Sequence, residues 1–223
     1  MEINKEIILK NYNEIENDIK KYSPYPEKVK ILFVTKYLNI EEHKEIISAG
    51  FGYFGENKAQ VFRDKLQEFE NNGLKWDFIG RLQKNKIKYI IKHVNLIHSV
   101  DSTSLLEEIN KKAFENERVV DILVQVNVSN EETKTGFDLS ELEDLFKIEA
   151  TNVRIKGLMT MAPFIEDKEK LRNYFRKVAE IKEKINKEYN LELDELSMGM
   201  SNDYIEALKE GATIIRIGSR LFE

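Results

Sequence analysis

The chain contains no cysteine among its 223 residues, and that absence removes two classes of structure. Neither a disulfide framework nor a thiolate metal site can be built without it. A cysteine-free composition fits a cytoplasmic protein. Histidine is scarce as well: His43, His93 and His98 are the only three, and their spacing matches no metal motif. With three prolines and ten glycines there is no flexible linker to divide the sequence into domains. No apolar run approaches the ~20 residues of a membrane span. The N-terminal stretch MEINKEIILKNYNEIENDIKKY lacks the apolar core and cleavage site of a secretory leader. Nor does charge of one sign accumulate. Thirty-five basic and 40 acidic residues give a formal net charge of −5 and are mixed along the chain, so the basic footprint of a nucleic-acid binder is missing. At 41% hydrophobic and 34% charged, the composition is that of a soluble globular protein.

What is present is alternation. Residues 1–22 carry isoleucines at helical spacing and stop before Ser23-Pro24-Tyr25-Pro26. Eight short apolar runs then follow, at 30–36, 52–57, 76–80, 96–102, 121–129, 154–160, 194–201 and 213–219. Amphipathic helical stretches separate them, and the basic run containing Arg81, Lys84, Lys86, Lys88 and Lys92 reads as one solvated helix face. Strict alternation implies a parallel sheet. Eight such units predict an α/β fold, a (β/α)₈ TIM barrel, in one domain spanning 1–223. An open doubly wound sheet is the alternative. The extra N-terminal helix is expected across the barrel bottom or its closing seam.

Barrel chemistry sits where strands end. The first strand, ILFVTKYLN, ends in Lys36. A lysine there either snorkels to solvent or lies partly desolvated, where a depressed pKa lets the neutral amine attack an aldehyde. The ends of strands seven and eight, LSMGMSNDYIEALKEG and IIRIGSRLFE, place Ser197, Gly199 and Ser201, then Gly218 and Ser219, before helical segments. Ser201 reads as a helix N-cap. Either loop alone suits ordinary capping, but two at adjacent strand ends favour a phosphate site. Arg216 shares the face of Gly218, and an inward guanidinium needs a carboxylate, phosphate or ring-nitrogen acceptor. In GENKAQ, Glu56 and Asn57 read as helix-start residues, or Asn57 turns its amide into the mouth. Gly50-Phe51-Gly52-Tyr53-Phe54-Gly55 matches a dinucleotide fingerprint letter for letter, yet it follows a helix and enters a strand, the reverse of what that motif requires. Gly50 reads instead as a helix C-cap. A glycosidase needs two carboxylates across the mouth, and strand seven ends without an acid. His98 on strand four reads as structural.

The segments FVTKYLN, FGYFGENKAQ, WDFIGRLQKNK, VQVNVSNEETKTGF, GLMTMAP and LSMGMSNDYIEALKEGATIIRIGSRLF together resemble the pyridoxal phosphate homeostasis proteins. These are single-domain relatives of the alanine racemase barrel, of the fold called type III among pyridoxal-phosphate proteins. The resemblance runs from about Val29 to Phe222 and implies pyridoxal 5′-phosphate held as a Schiff base on Lys36. It further implies Asn57 near the cofactor ring, Ser197, Met200, Ser201 and Gly218 gripping the phosphate, and Arg216 facing the pyridine nitrogen. Lys134 matches a family lysine near the mouth, though it also reads as a solvated loop residue. Asp77 stands where family members commonly carry a histidine, and Arg81 and Lys84 also depart from common forms.

The function implied is vitamin B6 homeostasis without catalysis: a cofactor carrier, with pyridoxal-phosphate-dependent apo-enzymes as partners. The alternative is a weak racemase or decarboxylase using the same cofactor. Alanine racemases draw a tyrosine acid/base from a second domain. This sequence ends at Glu223, just after the eighth strand, so no such domain is expected, and a monomer is.

Overall fold

A computed structural model of the chain describes residues 4–69, 73–128, 136–163 and 165–223. Eight strands close into a parallel barrel in sequence order. They are β1 (Lys30–Val34), β2 (Tyr53–Glu56), β3 (Lys75–Phe78), β4 (Leu96–Val100), β5 (Val120–Gln125), β6 (Val153–Met159), β7 (Glu195–Met200) and β8 (Ile214–Ile217). Each lies within or one residue outside the run predicted for it. The α-helices are α1 (Lys5–Tyr22), α2 (Ile40–Ser48), α3 (Ala59–Glu68), α4 (Thr103–Glu115), α5 (Leu139–Leu145), α6 (Lys168–Tyr189), α7 (Tyr204–Lys209) and α8 (Ser219–Phe222).

Alternation along each strand sorts the core into two parts. Outward residues such as Ile31, Phe33, Ile215 and Ile217 meet the helices in a large shared core. Inward residues Leu32, Leu96, Leu123, Met159 and Ile214 form a small cluster inside the barrel, with Tyr53 and Ile79 against it. Closure is made by β1 and β8, with Lys30 opposite Ile214 and Phe33 opposite Ile217.

Helix α1 packs on α7 and α8, at the seam. Asn11 Nδ2 donates to Leu221 O at 3.3 Å, and Tyr204 donates to Asp18 Oδ2 at 2.6 Å. Of the two positions expected for this helix, the structure selects the seam over the bottom.

One expected helix takes a different form. The basic run after β3 forms a 3₁₀ helix, Lys84–Tyr89, in place of an α-helix. Ile87 is the residue it buries, and Ile90, Ile91 and Val94 continue the buried face beyond it. The fingerprint-like glycines behave as their context requires: Gly50 follows α2 with φ +95°, a conformation side chains rarely adopt.

His43, on α2, sits in a ring cluster with Phe54, Phe69 and Trp76. Burial, and secondarily the charge of Lys65, pull its imidazole down to about 4 from an ordinary value of 6.5. The fold excludes a proton that the unfolded chain binds, so stability is intact above about pH 6.5 and is lost as pH falls toward about 4. The full contribution is about 3 kcal/mol. Urea titrations of wild type and His43→Leu across this range should show the variant's stability profile flatter by that order. Coincident profiles would mean that His43 is not excluded from protonation.

Candidate functional site

At the C-terminal end of the barrel lies a cleft of about 600 Å³, a size typical of small-molecule sites (roughly 300–1,000 Å³). Its lining includes Lys36, Asn57, Met200, Ser201, Arg216 and Gly218. Six of the seven residues singled out from sequence therefore meet in one place. The seventh, Ser197, is fully buried beneath the cleft floor.

Lys36 follows β1 in a short turn closed by the bond from Leu38 N to Thr35 O at 2.9 Å. The turn arises because β1 stops at Val34 and Asn39 begins α2 with a capping box to Glu42. The lysine is exposed at the rim, its Nζ 4.9 Å from the centre of the Tyr37 ring. Of the two settings the sequence left open, the structure shows the lysine at solvent, with an aromatic face on one side.

Below the rim the polar groups are fixed. Thr35 and Glu56 are fully buried, and Glu56 Oε1 accepts from Thr35 Oγ1 at 2.8 Å and from Lys65 Nζ at 2.5 Å. Lys65 also donates to Thr35 O at 2.9 Å. Burial lowers the Lys65 pKa, and Glu56 opposes that shift. Glu56 is thus the last residue of β2, facing α3, and no helix-start residue. Its carboxylate locks the residue before Lys36 to α3. Asn57 borders the cleft, and β3 turns away immediately beside it. A side chain at Gly80 would lie 2.0 Å from Asn57 O, so only glycine fits there.

Arg216, inward on β8, forms the floor. It is 4% exposed and donates to Ser197 O and Ser197 Oγ, both at 2.7 Å, and to Thr160 O at 2.9 Å. Burial brings its pKa down to about 10, with Asp203 acting in the opposite sense, so it remains a cation at neutral pH. A guanidinium carries five N–H donors, and these three bonds leave donors for a group in the cleft.

The two loops after β7 and β8 face each other across Ser201. Its Oγ accepts from Gly218 N at 3.2 Å and Arg220 N at 3.4 Å. Ser201 therefore caps the last turn, α8, and not α7, whose N-cap is Asp203. The carboxylate of Asp203 claims the N–H of Met200 at 2.5 Å, which shifts the start of α7 past Ser201. Among the described residues, the N–H groups of Ser201, Asn202 and Ser219 have no acceptor, and all three line the cleft. Three free donors, beside Lys36, Arg81 and Arg216, fit an anionic group.

Sequence reasoning missed the interior bonding of Asp77, His98 and Ser197, the buried Lys65 and the cleft position of Arg81. Asp77 and His98 were visible as polar residues at inward positions of apolar strands. Nothing local marked Lys65, which lies on an amphipathic helix. Lys134 lies outside the described residues.

The alanine racemase N-terminal domain family model matches residues 27–223. A pyridoxal phosphate homeostasis protein from Aquifex aeolicus is 46% identical over 195 residues, 86% of each chain. One from Vibrio alginolyticus is 32% identical over 94% of this chain and 92% of its own. Among solved structures, PipY of Synechococcus elongatus PCC7942 with PLP bound superposes with a TM-score of 0.85 at 31% identity, over 97% of this chain and 100% of PipY. A diaminopimelate decarboxylase from M. jannaschii shares the fold at 18% identity and a TM-score of 0.73, and 60% of its length is covered.

Removing one partner of the Glu56–Lys65 pair strands the other charge in the core, at a cost of about 3–5 kcal/mol. Glu56→Leu alone should lower stability by that order in denaturant titrations. Glu56→Leu combined with Lys65→Met should recover most of the loss. A single-variant loss under about 1 kcal/mol would show the pair to be solvated. Together the family match and the two homeostasis-protein relatives place this chain in the pyridoxal phosphate homeostasis protein family.

Proposed function

We propose that the protein binds pyridoxal 5′-phosphate at this cleft and serves its intracellular homeostasis, holding the cofactor as a Schiff base on Lys36. The observation that carries the reading is the convergence, in one cleft, of a rim amine, a buried guanidinium and three unpaired backbone N–H groups. The relatives are named for this role, and PipY was solved with PLP bound. When present, the cofactor supplies an aldehyde for the amine, an aromatic ring nitrogen and a phosphate.

Each part of the site has a matching task. Lys36 would supply the amine for the cofactor's aldehyde carbon. The donors of Ser201, Asn202 and Ser219 take the phosphate, with Gly218 and Met200 shaping its bed. Ser201 Oγ, which satisfies Gly218 and Arg220, lines the same cleft and would join them. Ser197 acts from below, through Arg216. Asn57 would border the ring. Arg216 would face the ring nitrogen as a donor only, which would disfavour a proton there and leave the ring a weak sink for carbanion charge. A non-catalytic carrier that hands cofactor to apo-enzymes, monomeric and cytoplasmic, is the reading most consistent with that chemistry.

Lys36→Ala should abolish the visible absorption of the lysine-bound cofactor and leave weak binding through the phosphate loops. Persistence of that band would dismiss Lys36 as the attachment point. Arg216→Glu should favour ring protonation and alter the bound spectrum, and an unchanged spectrum would move Arg216 away from the ring. Purified protein assayed across amino acids should show no α-proton exchange above free cofactor. Exchange that depends on Lys36 would establish the racemase or decarboxylase alternative.

A further inference from the structure

Asp77 and His98 lie fully buried inside the barrel, where branched apolar side chains are the rule. His98 Nε2 is 2.9 Å from Asp77 Oδ2, and His98 Nδ1 is 2.8 Å from Ser197 Oγ. Ser197 Oγ in turn receives Arg216 Nη1. The series thus runs unbroken from the centre of the barrel to the cleft floor.

The hydrogens along this series can be placed by elimination. Arginine never accepts, so Ser197 Oγ is the acceptor from Arg216. The one hydroxyl proton of Ser197 then goes to His98 Nδ1, the acceptor within reach. Nε2 therefore carries the ring proton and donates to Asp77. An ionised carboxylate only accepts, and Asp77 is filled to match: Tyr53 donates to Oδ2 at 2.5 Å and Asn95 Nδ2 to Oδ1 at 2.7 Å. Every bond points the same way, from the guanidinium to the carboxylate. Burial favours the neutral imidazole that this arrangement needs, against the pull of Asp77. Asp203 is the acid whose charge acts on Arg216 through space.

We infer that Asp77 is a positioning residue for Arg216: through the fixed tautomer of His98 and the hydroxyl of Ser197, it sets the orientation of the guanidinium and hence which N–H donors reach a bound ring. The inference rests on the pyridoxal phosphate reading of the cleft. A serine that is free to rotate its hydroxyl presents its lone pairs to Nη1 only in some rotamers. A serine whose proton is claimed from below presents its lone pair to Nη1 and holds the guanidinium at two points.

Long-range ¹H–¹⁵N NMR of the imidazoles in wild-type protein should show His98 protonated at Nε2 and bare at Nδ1. The opposite tautomer would overturn the inference outright, with no variant needed. Asp77→Asn should then perturb that pattern, shift the absorption of bound pyridoxal 5′-phosphate and weaken its binding about tenfold. Ser197→Ala should weaken binding by a similar factor. Because both act through one series, the double variant should bind no worse than the weaker single one. An Asp77→Asn protein that binds and absorbs as wild type, or single effects that multiply to about a hundredfold, would sink it. Failure of wild type to bind pyridoxal 5′-phosphate at all would instead count against the cofactor reading. The histidine tautomer would still decide the direction of the series.

Discussion

The register of β1 against β8 is the constraint from which the site follows. Leu32 is level with Arg216, and Phe33 with Ile217. That pairing brings the first strand's turn, with Lys36, beside the last strand's loop, with Gly218 and Ser219. A side chain at Gly218 would rest 3.4 Å from Val34 O, which measures how closely the two ends approach. Parity matters as much as proximity. A slip of one residue would rotate Arg216 into the outer helix layer and bring Ile215 or Ile217 inside. The hydrophobic demand of the outer core, where Phe33, Ile215 and Ile217 are all buried, forbids it. The burial of apolar groups outside the barrel thus fixes a charged group inside it.

Placing charge inside a barrel is costly unless each charge is bonded, and an unpaired buried group loses most. The protein meets this condition in two assemblies, one inside the barrel and one between the barrel and α3. One connects Arg216, Ser197, His98 and Asp77, with Tyr53 and Asn95 completing the carboxylate. The other joins Thr35, Glu56 and Lys65 beneath the rim. Among the described residues, Glu56 Oε2 is the buried atom of these assemblies left without a partner. The result is a division of labour by depth. The floor and the residue before Lys36 are held by several bonds each, whereas Lys36 itself is exposed. A stiff base and a rim amine with open space around it suit a reaction in which the amine must first meet a ligand arriving from water.

The architecture was readable from the chain because periodicity is local. Each strand needs only a short apolar run and each helix only its own stripe, so eight alternations could be counted without knowing any contact. The cleft was largely readable for the same reason: Lys36, Asn57, Ser201, Arg216 and Gly218 all sit at strand ends, and barrels gather strand ends, while Met200 came from the family resemblance. What local pattern could not show is which partner each polar group finds. Ser201 looked like the cap of the helix next in sequence but bonds the turn after β8, because Asp203 claims the Met200 N–H. Ser197 looked like a phosphate ligand but lies under the floor, bound to Arg216. Lys65 sat unmarked on an amphipathic helix and is 3% exposed. The first two depend on register between strands distant from the site's other residues in sequence. The 3₁₀ turn after β3 was lost for a different reason, since spacings of three and four are hard to separate over so short a run.

The same geometry bears on why such a cleft would hold a cofactor without using it. Carbanion chemistry on a pyridine ring gains most when the ring nitrogen is protonated, and a carboxylate at that position would secure the proton. Here the group at the floor is a guanidinium, and its own bonds to Ser197 and Thr160 keep it from being exchanged for water. The nearest buried carboxylate on its bonded series, Asp77, is spent on His98, Tyr53 and Asn95. On the proposed reading, the acid that would activate the ring is present in the barrel but placed where it steadies a base-like donor instead. Tight retention and weak activation then come from one arrangement: the more firmly the series holds Arg216, the better the ring is gripped and the less readily it accepts a proton.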